Sequence, residues 1–135
     1  MAERLHLRAE TLDDLPPLSA LVQDMAVRAG DIHWDARTRR LALIGNRYRH
    51  EQKQPTRIRS ALRLDFVEHV QRRAWPASPD QILVLLAVKA DSEWLELLFG
   101  GNISLRAKAE CIDLTLEDVS GPWGTKIKPA HPGAL

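Results

Sequence analysis

Residues 57–66 alternate strictly between two kinds of side chain, and this pattern constrains the fold more than any other feature of the chain. The even positions carry Ile58, Ser60, Leu62, Leu64 and Phe66, and the odd positions carry Arg57, Arg59, Ala61, Arg63 and Asp65. Because successive side chains of a strand point to opposite faces of its sheet, the segment is predicted to be a strand with one face in the core. The alternation slips at Phe66–Val67, which indicates a β-bulge before Val70.

The segment before this strand is predicted to be a hairpin. Pairing Ile32 with Leu43 and Trp34 with Leu41 places apolar side chains on one face. The same register leaves residues 36–39 as a four-residue loop, which is a common hairpin length. A register shifted by one residue would bring apolar side chains to the wrong face.

A second hairpin turns at Gly100–Asn102. A loop of these three residues sets the apolar positions of 95–99 opposite those of 103–107, whereas a two-residue loop would set them opposite polar positions. The three-residue loop is therefore predicted, with Gly101 or Asn102 in the left-handed conformation.

Only one helix of any length is predicted. Apolar residues recur at helical spacing from Leu15 to Met25, prolines fall in the first turn, and Gly30 follows. This pattern predicts an amphipathic helix of about 14 residues. A single short helical turn is expected over Leu114–Val119, ended by Gly121.

These elements predict an α+β domain. We expect a bent, mostly antiparallel sheet or partial barrel of six to seven strands, with the long helix in the N-terminal half and the short helical turn near the C-terminus. The run ILVLLAV at 82–88 has no polar face and is predicted to be a central strand covered on both sides. Residues 1–123 are expected to form a single domain, followed by a Pro/Gly-rich tail at 124–135 that lies on the surface or frays.

Charge is distributed unevenly along the 135 residues. Residues 28–73 carry twelve basic and five acidic side chains, a net of +7, although the whole chain carries only +1. The basic block is either an anion-binding face or a set of arginines that pair with carboxylates from the acidic ends. The first residues carry no apolar stretch typical of a secretory signal, and no apolar run approaches the length of a membrane span. We therefore expect a cytoplasmic protein that does not contact membranes.

No catalytic or metal-binding signature is found in the sequence. The histidines show no spacing typical of metal ligands, and no phosphate-binding glycine loop or nucleophile elbow is present. Cys111, the one cysteine, falls on the apolar side of its predicted strand and is expected to be a buried small hydrophobe. We expect a protein without cofactors that is not an enzyme.

Two sets of residues are candidates for binding. Arg57, Arg59 and Arg63 share one face of their predicted strand, at a spacing of about 6.6 Å that resembles the phosphate repeat of a nucleic-acid strand. The alternative is a solvated face whose arginines meet acids on a neighbouring strand. Trp75 and Trp123 each adjoin a proline in a predicted loop and are candidate protein contacts, because tryptophan is enriched at interaction hot spots.

Several longer strings resemble a known family. They are LSALVQDM at 18–25, RTRRLALIGNRYRHE at 37–51, RIRSALRLDFVEHVQRR at 57–73, LVLLAVKAD at 83–91 and ECIDLTLEDVSGPW at 110–123. Over nearly its full length, the chain resembles a family of small bacterial proteins known only as a domain of unknown function. The resemblance implies no activity, cofactor or partner.

The expected function is therefore that of a non-catalytic binding or accessory protein. The favoured hypothesis is a protein–protein interaction module that uses a sheet edge or the tryptophans, with an unidentified protein or a second copy of the chain as partner. The alternative is an RNA- or polyanion-binding protein that uses the arginine-lined strand.

Overall fold

The computed structural model describes residues 4–91 and 93–124, and this part of the chain is dominated by one antiparallel sheet. The sheet has 11 strands, so the predicted six to seven strands were too few. The strands are β1 His6–Ala9, β2 Met25–Arg28, β3 Ile32–Asp35, β4 Arg40–Tyr48, β5 Thr56–Leu64, β6 Val67–Arg73, β7 Ile82–Ala90, β8 Trp94–Phe99, β9 Ser104–Ala109, β10 Leu114–Asp118 and β11 Trp123–Gly124. The prediction of an α+β fold built on a partial barrel with a long helix and a C-terminal helical turn is wrong, because both helical predictions fail.

The predicted long helix is only eight residues, α1 Leu15–Val22. Asp24 has a φ of 70°, and its backbone N–H donates to the Leu85 carbonyl at 2.8 Å, so the chain leaves the helix and joins the sheet. Met25, which has the spacing of a fourth helical turn, instead begins β2 opposite Leu85. The helix covers part of the core with its buried face of Leu15, Leu18 and Val22.

The predicted C-terminal helical turn is a strand, β10. It pairs with β1 on one side and with β5 on the other. Leu114 and Leu116 alternate with Thr115 and Glu117, and this period of two places the leucines in the core.

The strand order is β1-β10-β5-β4-β2-β7-β8-β9-β6, with β3 beside β4 and β11 beside β5. The described register of β2 with β4 consists of one pair, Ala26 with Asn46, and this narrow contact joins the two halves of the sheet. At this junction Gly45 lies so close to β2 that an added Cβ would sit 2.5 Å from the Ala26 carbonyl oxygen. One half contains β1, β10, β5, β4, β3 and β11, and the other contains β2, β7, β8, β9 and β6. The chain crosses between these halves at residues 29–31, which connect β2, the neighbour of β7, to β3, the neighbour of β4.

Both predicted hairpin registers are confirmed. Ile32 pairs with Leu43 and Trp34 with Leu41 in β3–β4. Strands β8 and β9 pair around the three-residue turn, in which both Gly101 and Asn102 have positive φ.

The prediction that residues 82–88 are covered on both sides is wrong. Leu83 and Leu85 of β7 are buried, but Ile82, Val84 and Leu86 point outward and are exposed. The run lies in the middle of the sheet, yet the described chain packs against only one of its faces.

Strand β5 has the predicted alternation, with Ile58, Ser60, Leu62 and Leu64 buried. The strand ends at Leu64, so the prediction that Phe66 lies on the same core face is wrong, and its side chain is 45% exposed. The chain then turns at Phe66, which has a φ of 61°, and the register of β6 with β9 shifts between Val67 and His69. This irregularity confirms the predicted bulge. Of the predicted tail, residues 125–135 lie outside the described residues, and Gly124 belongs to β11.

Candidate functional site

A groove lies where the sheet opens between β3 and β6. In the described chain, β3 pairs with β4 alone and β6 pairs with β9 alone, so each strand leaves one edge without a strand partner. Side chains of both strands line the same groove, which has a volume of about 490 Å³. Unpaired strand edges are templates for the addition of another strand.

The two ends of the groove are closed by backbone contacts. At one end the Val67 N–H donates to the Arg39 carbonyl at 2.9 Å, which ties the start of β6 to the β3–β4 loop. At the other end the Gly30 N–H donates to the Pro79 carbonyl at 2.8 Å. An added Cβ at Gly30 would lie 3.1 Å from Pro79, so this end wall is tightly packed.

Most of the residues that line the groove have apolar side chains. Ile32 and Trp34 of β3 face inward because they pair with the core residues Leu43 and Leu41 of β4. On the other side, Val70 faces inward opposite the buried Ala107. The lining residues are Ala29, Gly30, Ile32, Trp34, Leu41, Val70, Arg72, Trp75, Pro76, Ala77, Ser78, Pro79 and Leu105.

Trp75, one of the two predicted contact residues, lines this groove. Its ring is half-buried and meets Phe99 edge to face, with ring centroids 6.2 Å apart at 82°. The Arg72 guanidinium lies over the same ring, 5.6 Å from its centroid. The tryptophan therefore joins the core to an exposed cation at the mouth of the groove.

Arg72 is the one charged residue among those that line the groove. None of the residues that line it is acidic. On the bordering elements, Asp31 and Asp80 both bind Arg28, at 3.1 Å and 2.9 Å. By contrast, the structure of residues 4–91 and 93–124 gives Arg72 no ion pair, so its charge is available to a ligand.

The three arginines of β5 do not form a free row. Arg63 donates to Asp65 at 3.0 Å, and Arg57 donates to the carbonyls of Asp24 and Asn46 while lying 5.7 Å from the ring of Tyr48. Of these three, Arg59 alone has a guanidinium without a hydrogen bond or ion pair to the described residues. The three arginines therefore share one face of β5, but two of them already have partners within the chain.

Trp123, the second predicted contact residue, lies far along the chain from Trp75. It is exposed and pairs with Arg57 across β11 and β5. It does not line the groove, so the structure does not bring the two tryptophans into one site.

A buried ionic cluster joins several strands on the inner side of the sheet. Arg47 donates to Asp118 and to Glu51, and Asp118 also accepts from the Ser60 hydroxyl and the Leu5 N–H. Burial alone would raise the pKa of Asp118, but the hydrogen bonds from Arg47, Ser60 and Leu5 outweigh it and hold that pKa below its usual value. For Glu51 burial likewise opposes the hydrogen bonds and charge of Arg47, which lower its pKa.

The described chain has few features of a reactive centre. Across residues 4–91 and 93–124, no group of three or more His, Cys, Asp or Glu residues could hold a metal ion. Cys111 is exposed, so the prediction of a buried thiol is wrong: β9 ends at Ala109, and the alternation on which that prediction depends stops there. No helix among the described residues has both the length and the apolar character of a membrane span.

Sequence reasoning missed Trp34, Val70 and Arg72 as site residues. The pairing of Trp34 with Leu41 was predicted, but the neighbour of β3 on its other side was not. Because the groove is assembled from five separate segments, only the strand order brings its residues together.

The comparisons with known proteins identify a family and no activity. A family model described as Protein of unknown function (DUF2948) matches residues 5–131, which confirms the family resemblance seen in the sequence. No curated protein and no solved structure matches the chain.

Proposed function

The chain belongs to the DUF2948 family of proteins of unknown function, and we propose that it is a non-catalytic protein–protein interaction module that binds an extended segment of a partner in the groove between β3 and β6. The observation that carries the proposal is that two strand edges without a strand partner in the described chain border one groove, whose lining residues mostly have apolar side chains. Addition of a strand to an exposed sheet edge is a recurring mode of peptide recognition, in which main-chain hydrogen bonds supply affinity and pockets supply specificity.

The edge of β6 is the better template of the two. It offers six residues, Glu68–Arg73, because the Val67 N–H already donates to Arg39, whereas β3 offers four. Six residues of paired strand span about 20 Å. We propose antiparallel pairing with β6, because antiparallel ladders are slightly more stable for each residue than parallel ones.

The groove selects apolar side chains on one face of the bound segment. Alternate side chains of a strand point to the same side, so every second residue of the ligand would enter the space between Trp34, Val70 and Trp75. Aromatic walls of this kind supply a large contact area. The remaining ligand side chains would face solvent.

The charge of the groove favours an acidic partner. Arg72 lies at the mouth. On the bordering elements, Asp31 and Asp80 bind Arg28, and Glu68 lies 3.8 Å from Arg39. Asp35 accepts hydrogen bonds from the backbone N–H groups of Arg37 and Thr38. A carboxylate on the ligand would therefore find a cation without competition, and electrostatic complementarity of this kind raises the association rate. The proposed ligand is an extended segment whose side chains on one face are apolar, with one acidic side chain on that same face at the position that reaches Arg72.

The experiment is selection of binders from a displayed library of random linear peptides against the purified protein. We expect enriched sequences in which bulky apolar residues recur at every second position, with an Asp or Glu at another position of the same period, which faces Arg72. Arg72→Glu should weaken binding of a selected peptide at least about fivefold, because the change opposes its charge. Arg73→Glu is the matched control: it makes the same change on the same strand, but Arg73 pairs with Ser104 on the outer face and should leave affinity nearly unchanged.

Backbone hydrogen exchange locates the binding site directly. Bound peptide should slow exchange of amides in Glu68–Arg73 that do not pair with β9. Failure to enrich any peptide, equal effects of the two arginine variants, or protection confined to other strands would contradict the proposal.

A further inference from the structure

The outer face of β7 carries an apolar stripe in the middle of the sheet. Ile82 is 57% exposed, Val84 41% and Leu86 38%. Most large apolar side chains on monomer surfaces are scattered singly, whereas a contiguous row marks an interaction surface. The stripe is far from an edge, so its exposure does not result from fraying.

The stripe continues onto the neighbouring strands. Ala26 of β2 pairs with Val84 on one side and with Asn46 of β4 on the other, and Ile44 of β4 is a further exposed residue. Three strands by five residues cover about 14 Å by 17 Å. This area of roughly 240 Å² is well below the roughly 800 Å² that each partner contributes to a standard interface, so an interface here must also use the ends of the stripe.

One end of the stripe opens into a hollow beside α1. The hollow has a volume of about 430 Å³ and lies between Pro16 and Ala20 of the helix and Leu86–Lys89 of β7. At the other end Ile82, the most exposed of the three stripe residues, protrudes. When a second copy is related by a two-fold rotation, the protruding Ile82 of each copy faces the hollow of the other.

The two ends also differ in charge. At the Ile82 end, Arg28 holds both Asp31 and Asp80, which leaves a net charge of −1. At the other end Lys89 lies opposite Glu96. Because Glu96 already lies 3.6 Å from Arg106, this second group has a net charge of +1.

We propose that two copies of the chain form a two-fold symmetric dimer through the outer faces of β7, with the axis at the level of Leu85. A two-fold interface uses the same patch on both copies, so residue i meets residue j and residue j meets residue i. Val84 of one copy then packs on Leu86 of the other, and Ile82 enters the hollow beside α1. The bulge between Leu85 and Ala87 contains one residue that adds no length to the strand. Lys89 of one copy therefore lies at the same height along the strand as Arg28 of the other.

The charge pattern makes the antiparallel arrangement the favoured one. Rotation by two-fold symmetry sets the negative end of one copy on the positive end of the other, whereas parallel stacking would set like charges together. The dimer uses a surface outside the groove between β3 and β6, and it does not depend on the proposed function.

The experiment is analytical ultracentrifugation of the full chain from about 1 to about 300 μM, a range that covers weak interfaces of small area. The wild type should shift from monomer to dimer across this range, and Val84→Asp should remain monomeric. Val119→Asp, which places the same charge at another exposed valine outside the stripe, should dimerise like the wild type. A wild type that is monomeric throughout, or valine variants that behave alike, would overturn the proposal.

Charge reversal tests the antiparallel geometry. Asp80→Lys and Lys89→Glu should each raise the dissociation constant about tenfold, because each sets like charges together across the interface. The double variant exchanges the signs of both ends and should return the dissociation constant to within about threefold of the wild type. A double variant no better than either single variant would rule out this arrangement.

Discussion

Arg47 and Asp118 form a salt bridge in the interior of the sheet, with Nη2 3.0 Å from Oδ2 and side-chain exposures of 0% and 1%. The two residues lie on β4 and β10, which are separated by β5. The Ser60 hydroxyl of β5 donates to the same carboxylate at 2.6 Å. The bridge therefore ties three strands together on the core side, where water does not satisfy either charge.

The first prediction concerns the loss of one partner. Asp118→Ala should lower the free energy of unfolding by about 3 kcal/mol, because the buried Arg47 keeps only Glu51 as an acidic partner and the Ser60 hydroxyl and Leu5 N–H lose their acceptor. The measurement is urea unfolding followed by tryptophan fluorescence. Asp80→Ala removes an exposed partner of Arg28 and is the control, with a far smaller expected loss. Similar losses of unfolding free energy in the two variants would show that the buried salt bridge stabilises the fold no more than the exposed one does.

The second prediction concerns acid. The pKa values of Asp118 and Glu51 lie below their usual values of 3.8 and 4.5 in the folded chain, since the bonds from Arg47 outweigh burial. Unfolded protein then binds more protons than folded protein as pH falls through and below these values. Stability from the cluster is complete above about pH 6 and is lost progressively below about pH 5.

The measurement that checks this dependence is the free energy of unfolding at several pH values for the wild type and for Asp118→Asn. The variant lacks one of the titrating carboxylates, so its stability should fall less steeply with acid. If the free energy of unfolding falls equally steeply with acid in the two proteins, the lowered pKa of Asp118 in the folded chain is contradicted.

The third prediction concerns the junction of the two halves of the sheet at Gly45. Gly45→Ala would place a Cβ 2.5 Å from the Ala26 carbonyl oxygen and 2.8 Å from Val27 Cγ2, so the strands must separate. The cost should be about 1–3 kcal/mol, as for other overpacked sites. Gly100→Ala is the matched control, because its added Cβ would meet nothing within 4 Å. Thermal unfolding of both variants decides the matter: equal melting temperatures would contradict the role given to Gly45.

The registers of the two hairpins could be predicted because short loops and cross-strand apolar pairs determine them locally. The length of α1 could not, because Met25 has helical spacing from Leu18 and Val22 and yet pairs with Leu85, far along the chain. Tertiary hydrogen bonding to β7 overrides the local pattern there.

The buried cluster had a signal in the sequence that was not used. Leu41, Leu43 and Gly45 occupy the inner face of β4, and the same period of two puts Arg47 on that face. Leu114 and Leu116 likewise put Asp118 inside. Two opposite charges on inward positions predict a buried pair, but which strands lie next to each other cannot be deduced from either segment alone.

The last prediction concerns the polyanion hypothesis. If Arg57, Arg59 and Arg63 each contacted a phosphate, log affinity for single-stranded RNA would fall against log salt with a slope of about −2. Arg63 is bound to Asp65, and Arg57 is bound to two backbone carbonyls. With Arg59 alone free on this face of the described chain, the slope should be about −0.7 for any binding that occurs here. Fluorescence anisotropy with labelled oligouridine, for the wild type and for Arg59→Ala, measures this slope, and the variant should lose that contribution. A slope near −2 in the wild type would mean that RNA displaces the internal partners of Arg57 and Arg63, and the arginine face of β5 would then replace the groove as the leading binding site.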